Sequence, residues 1–205
     1  MNIQEQKNLW GNPDNWVNEG HEWSTYFGTT GNLWNIIYPK FSNYLKGEVL
    51  EISPGYGRMT SYLLTKINDL SVVDLNDNCI EKCKSKFGNK IKNYVINNGY
   101  DLEYFENNYF DFIFSYDSFV HMTEDVIESY IKEIFRVLKH NSYSFIHHSF
   151  FYGSEIPTKN LGGRSSMTPK LFSDFVTKYN MKIISQEDFQ TSETISDILT
   201  TFYKP

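Results

Sequence analysis

Residues 48–53, EVLEIS, form a strand-like apolar run that carries Glu51 and leads directly into Pro54-Gly55-Tyr56-Gly57 and a segment of helical period. A strand, a glycine turn and a helix in succession open a layered α/β unit, in which ligands bind outside the carboxyl ends of the strands. The same alternation continues downstream. Apolar runs bounded by turn residues predict strands near 48–53, 70–75, 91–96, 109–116, 143–149, 181–187 and 195–203, and helical period predicts helices near 30–45, 58–67, 77–87, 124–139 and 169–179. This is the pattern of a Rossmann-like α/β fold: a mostly parallel sheet with helices on both faces. Thr168-Pro169 gives the last helix a cap followed by a proline where one is tolerated. Glu124 and Asp125 at one end, with Lys139 and His140 at the other, match the dipole of the helix at 124–139.

With 205 residues and 40% hydrophobic content, the chain can build one well-buried core. We expect residues 46–205 to form it and residues 1–45 to be an arm and helix packed against it. All four tryptophans, Trp10, Trp16, Trp23 and Trp34, fall in that front segment. They read as anchors on the sheet and, more sharply, as a lid over a ligand cleft, to which His21 and Trp23 would offer substrate contacts. A net charge of -6 with only three arginines argues against nucleic acid as a partner. No apolar stretch reaches membrane-spanning length and the polar start lacks a leader pattern, so a cytoplasmic location is expected. Cys79 and Cys83, four apart on one helix face, read as small core residues of a reducing compartment.

The ligand class turns on charge. A pyrophosphate beside the glycine turn would meet the Glu51 carboxylate, and like charges in a low-dielectric crevice repel strongly. Thr60 also stands where a nicotinamide-binding fingerprint has its third glycine. A ligand with an ammonium and a sulfonium suits Glu51 instead, and Asp74, ending the second strand, can accept two ribose hydroxyls.

VLEISPGYGR, VVDLN, INNGYDL, FDFIFSYDSFVHM and EIFRVLKHNSYSFIHHS resemble the successive motifs of a class I S-adenosylmethionine-dependent methyltransferase, over about residues 45–203. The resemblance implies a seven-stranded sheet with the last strand antiparallel. It assigns Glu51, Ser53, Gly55 and Gly57 to the methionine end of the cofactor, Asp74 to its ribose and Asn98 to its adenine, with Leu75, Gly99 and Ser115 as further contacts. Ser53 replaces the first motif glycine and Asn98 an acid. GHEWS, DSFVHM and FIHHS are similar to a bacterial subgroup associated with capsule and surface-polysaccharide genes, which implies an oxygen acceptor on a sugar-like or phosphorylated small molecule, such as a nucleotide-linked sugar or a phosphoramidate. The alternatives are an N- or C-methyltransferase and a non-catalytic cofactor-binding protein.

A hydroxyl acceptor must lose its proton as it attacks, so a base is needed. The carboxyl ends of the fourth and fifth strands bring Asp117, His121, His147 and His148 toward one place. Adjacent strand residues face opposite ways. We expect His148 to face the cleft and act with Asp117 or His121, leaving His147 as a substrate contact. Arg164, in the loop 157–168 ahead of a helix N-terminus, would hold an anionic group of the acceptor. No spacing typical of metal ligands occurs, and no metal is expected.

Overall fold

Val49–Ile52 is buried at all four positions and forms β1, and a strand hidden on both faces belongs in the middle of a sheet. In the computed structural model, which describes residues 1–150, 163–193 and 195–205, β1 pairs in parallel with β2 (Leu70–Asp74) on one side and with β4 (Phe110–Ser115) on the other. β3 (Asn93–Ile96) lies outside β2 and β5 (Leu138–Ser149) outside β4, both parallel to their neighbours. β7 (Ser196–Lys204) runs antiparallel between β5 and β6 (Lys182–Gln190), giving the order β3-β2-β1-β4-β5-β7-β6. The expected seven strands with the last one reversed are all present, and the sheet is Rossmann-like.

Side-chain alternation along the strands splits the core in two. Leu50, Ile52, Ile113 and Ile146 pack under α5 (Glu124–Val137) and α6 (Pro169–Lys178). Val49, Phe112, Phe114 and Phe145 pack under α2 (Thr30–Phe41), α3 (Thr60–Leu63) and α4 (Asp77–Phe87). This parity decides where each functional side chain points. The front segment adds α1 (Ile3–Trp10), which opens with a reciprocal Asn2–Glu5 capping box, and 3-10 turns at Pro13–Asn15 and His21–Phe27.

Two boundaries differ from expectation. Regular α-helix after the glycine turn covers only Thr60–Leu63, with turns on either side rather than a helix over 58–67. The helix expected to run to residue 139 ends at Val137, and β5 begins at once with Leu138. The positive charge at its carboxyl end comes from Arg136 in its last turn and from Lys204 of β7, whose ammonium donates to Phe135 O and Leu138 O at 2.6 and 2.7 Å.

Candidate active site

The crevice at the carboxyl ends of β1, β2 and β4 is a cavity of about 490 Å³, within the range that holds a cofactor-sized ligand. Its floor comes from the strand ends: Ser53 and Gly55 after β1, Asp74 and Leu75 at β2, and Tyr116 and Asp117 after β4. Ser53 holds φ 58° and Asp117 φ 63°, left-handed conformations that L residues adopt only when their surroundings enforce them. Gly55 has φ 56°, and a Cβ there would stand 2.3 Å from the Trp16 ring, so the floor and the arm meet with no room for a side chain.

Asp74 receives the amides of Asn76 at 2.9 Å and Gly55 at 3.2 Å. Burial raises its carboxyl to about 6, against the pull of those amides. Glu51 is 2% exposed and is not among the residues that line the cavity. It shares the face of Val49, beneath the floor, where the Thr60 hydroxyl donates to it at 2.6 Å. Burial pushes Glu51 up to about 8; the Thr60 bond opposes that and the nearby Asp74 adds to it. The expectation that Glu51 meets the ligand directly is therefore corrected: its carboxyl is bound by Thr60 outside the cavity lining, and its charge appears only on deprotonation.

The remaining expected cofactor residues divide. Leu75 lines the cavity. Gly57 faces α4, where a Cβ would stand 2.4 Å from Phe87 Cε2. Ser115 is fully buried and donates to Ile52 O at 2.8 Å, tying β4 to β1 without reaching the cavity. Asn98 is exposed and turns its side chain onto its own loop, accepting the amides of Tyr100 and Asp101 and donating to the Asp101 carboxylate. Gly99 packs against Ile3 of α1. Neither Asn98 nor Gly99 lines the cavity.

On the β4–β5–β7 side, parity reverses the assignment of the adjacent histidines. His148 shares the Ile146 face, stacks on Phe172 of α6 at 4.1 Å and bonds Thr200 Oγ1 at 2.9 Å. Burial drives its ring down to about 3. The expected base at His148 is thus a core residue on the far side of the sheet. His147 shares the cavity-side face, stacks on Tyr116 at 4.5 Å and accepts the Asp117 amide through Nδ1 at 3.1 Å, while its Nε2 lies 3.4 Å from Asp197.

Asp117 is anchored by Arg58 at 2.7 Å and has Arg164 at 3.8 Å. Burial alone would raise its carboxyl, but Arg58, with His147 and Arg164 behind it, holds it below the usual carboxylate range. An anion fixed in this way orients its neighbours. Arg164 lines the cavity, but its charge is met by Asp197 at 2.8 Å, which corrects the expectation of a free guanidinium for an anionic acceptor. The Thr168 hydroxyl already caps α6 through the Leu171 amide. Residues 157–162 of that expected loop lie outside the described residues.

His121 is buried and lines the cavity. Its Nδ1 lies 3.3 Å from Gly163 O, a contact that requires Nδ1 to carry the proton and leaves Nε2 with a bare lone pair. Burial brings the ring down to about 4, despite the opposing charge of Asp117, so it is neutral at pH 7.

The front tryptophans separate by role. Trp34 is a core anchor on α2, stacked between Tyr38 and Tyr62. Trp10, Trp16 and Trp23 form a mutually packed cluster over the cavity, with centroids 4.9 to 6.1 Å apart. His21 does not line the cavity; its Nδ1 meets Thr30 Oγ1 at 2.7 Å and braces the turn that carries Trp23. Sequence reasoning passed over Arg58, Tyr116 and Asp197. Asp197, an acid inside an apolar strand, carried the same signal as Glu51.

A Rossmann-like sheet of this order, with a glycine turn and a strand-end carboxylate at one crevice, is the layout that class I S-adenosylmethionine-dependent methyltransferases share. Residues 50–146 match the family model of a methyltransferase domain, so the chain carries such a domain. Solved structures agree on the fold. A Pyrococcus horikoshii protein superposes with TM-score 0.70 at 17% identity, over 95% of this chain and 100% of that one. A Methanosarcina mazei S-adenosylmethionine-dependent methyltransferase gives 0.63 at 20% identity, over 82% and 97%. The Burkholderia thailandensis 1,6-didemethyltoxoflavin-N1-methyltransferase, solved with its substrate and S-adenosylhomocysteine, gives 0.67 at 13% identity, over 98% and 86%. No curated protein matches the sequence. Among the described residues, no helix is long and apolar enough to cross a membrane and no cluster of three or more His, Cys, Asp or Glu is placed for a metal.

Proposed function

We propose that this chain methylates a hydroxyl oxygen of a small, sugar-like acceptor, of the kind used in capsule or surface-polysaccharide assembly, with residues 46–205 as the catalytic domain and residues 1–45 as its aromatic roof. The observation that carries the reading is His121, a neutral ring in the cavity wall with Nε2 unprotonated.

The cavity volume, the Asp74 carboxylate and the bare Gly55 backbone fit the donor. Asp74 would hold the ribose, the Ser53–Gly55 backbone the methionine end, and Glu51 would supply negative charge beneath it. When bound, S-adenosylmethionine supplies a methyl group on a positively charged sulfur, open to displacement by a nucleophile. The protein's task is then alignment and proton removal. His121 Nε2 takes the hydroxyl proton, and the Gly163 carbonyl, accepting from Nδ1–H, stabilises the resulting imidazolium. Asp117, fixed by Arg58 and by its amide bond to His147, keeps a negative charge nearby that favours the same state. Trp16 and Trp23 offer flat apolar faces to the C–H face of a sugar ring and keep water out. Because Asp197 neutralises Arg164, a neutral acceptor suits the cavity better than a phosphorylated one.

A second reading is N-methylation of a small amine, favoured by the carboxylates of Glu22, Asp74 and Asp117 along the cavity. Calorimetry with S-adenosylmethionine, S-adenosylhomocysteine and NAD tests the donor. Mass spectrometry for a gain of one methyl on panels of neutral sugars, sugar phosphates and amines tests the acceptor. Transfer confined to amines would overturn the oxygen reading, and binding without transfer to any panel would favour a non-catalytic protein.

A further inference from the structure

The residue expected to read the adenine, Asn98, is spent on its own loop, yet the end of the cavity bounded by Leu75, Asn76 and Cys79 is walled. The wall is α1. Its first turn sits on the bare backbone of Gly99, where an added Cβ would stand 2.6 Å from Ile3 Cδ1 and 3.3 Å from Leu75 Cδ1. Its far end docks on the first turn of α4: Asn78 Nδ2 donates to Gly11 O at 3.1 Å, and the Cys79 thiol lies 4.0 Å from Trp10 O. The helix thus lies across the carboxyl ends of β2 and β3, past the Asp74 carboxylate assigned to ribose.

Ile3, Gln6 and Trp10 follow one another at three and four residues, so one helical face is turned inward. Gln6 and Trp10 line the cavity, and Gln6 is buried to 5% exposure, unusual for a glutamine on a terminal helix. Its Nε2 donates to Met1 O at 3.0 Å, which leaves the amide oxygen as the group offered to the cavity. A buried acceptor beside apolar Leu75 and the Trp10 ring fits the edge of a purine that presents an exocyclic amino group.

We infer that α1 supplies the adenine-recognising wall of the cofactor site, with Gln6 Oε1 accepting from the adenine amino group in the place of Asn98. The inference rests on the donor reading above and assigns Gln6 and Trp10 as cofactor-binding residues.

The test compares binding of S-adenosylhomocysteine with that of S-inosylhomocysteine, whose exocyclic carbonyl oxygen replaces the amino donor, by calorimetry on the full chain. Wild type should prefer the adenosyl ligand by about tenfold, the worth of one buried hydrogen bond and the mismatch left without it. Gln6→Ala should lose that preference while keeping its melting temperature, and Gln6→Glu, which retains an acceptor oxygen, should keep it. Asn98→Ala should leave both affinities unchanged within about twofold. Wild-type discrimination that survives Gln6→Ala and falls in Asn98→Ala would overturn the assignment, as would tighter binding in Gln6→Ala, which would make α1 a competitor for the site. Failure of wild type to bind either ligand would instead remove the donor reading on which the inference rests.

Discussion

The two halves of the crevice are built by different means. On the β1–β2 side, binding groups come from one stretch of chain between Glu51 and Leu75, and they are chiefly backbone amides, a glycine and two strand-end carboxylates. On the β4–β5–β7 side, the wall is a chain of alternating charges, Arg58, Asp117, Arg164 and Asp197, gathered from four distant segments and closed by His147. The first half suits a ligand of fixed chemistry, because backbone geometry leaves little to vary. The second spends its charges on one another, which leaves His121, the Glu22 carboxylate and the aromatic roof along the cavity.

Removing a link from the charged wall should have the largest effect. Asp197→Ala leaves Arg164 and His147 buried without their anion, and breaking such a pair costs about 3 to 5 kcal/mol. A fall of that size in the unfolding free energy from chemical denaturation, with residual cofactor binding in the folded fraction, is expected; a melting curve equal to wild type would show that the wall carries no structural load. His121→Ala should lower turnover by about 10²-fold with cofactor affinity unchanged. Because burial holds that ring at about 4, the acid limb of the wild-type rate profile should fall there rather than near 6.5. His148→Ala supplies the contrast: lost stability from the Phe172 stack, but full turnover per folded molecule.

The donor half can be tested through protons. Folded Glu51 titrates at about 8 against an ordinary 4.5, so the native state keeps a proton that the unfolded chain has lost across that interval. Asp74 adds to the resulting fall in stability up to about pH 6, while the lowered rings of His121 and His148 oppose it up to about 6.5. Stability of the ligand-free protein should therefore fall as pH rises from about 6.5 to about 8, and Glu51→Gln should flatten that slope. A cationic ligand favours the carboxylate, so cofactor affinity should rise over the upper part of the same range, with proton release visible as a buffer-dependent heat of binding. Glu51→Gln should weaken binding by about tenfold, or about 1.4 kcal/mol. Affinity independent of both pH and this substitution would mean that the floor, and not charge beneath it, holds the ligand.

The same contrast explains what the sequence disclosed. Strand positions, the glycine turn and Asp74 were legible because each rests on local pattern: apolar runs, a turn residue, an acid at a strand end. The orientation of His147 and His148 was not, since a shift of one position reverses the face and only pairing of β5 with β4 and β7 fixes it. Arg164 misled for a related reason. An arginine beside a helix start looks available until Asp197, far along the chain, is found to answer it. The surroundings of Glu51 were not legible either, because nothing local to it shows that the Thr60 hydroxyl binds its carboxyl and that neither residue lines the cavity.

The reversed placement of β7 also bears on the order in which the molecule is made. β7 fills the gap between β5 and β6, so β6 has no partner in the sheet, and Arg164 no counterion on β7, until that strand arrives. Pairings of long sequence separation form late because loop closure must come first. During synthesis, the strands that floor the cavity, β1, β2 and β4, emerge before the strand that carries Asp197. The charged wall is therefore the last part of the crevice to find its partners.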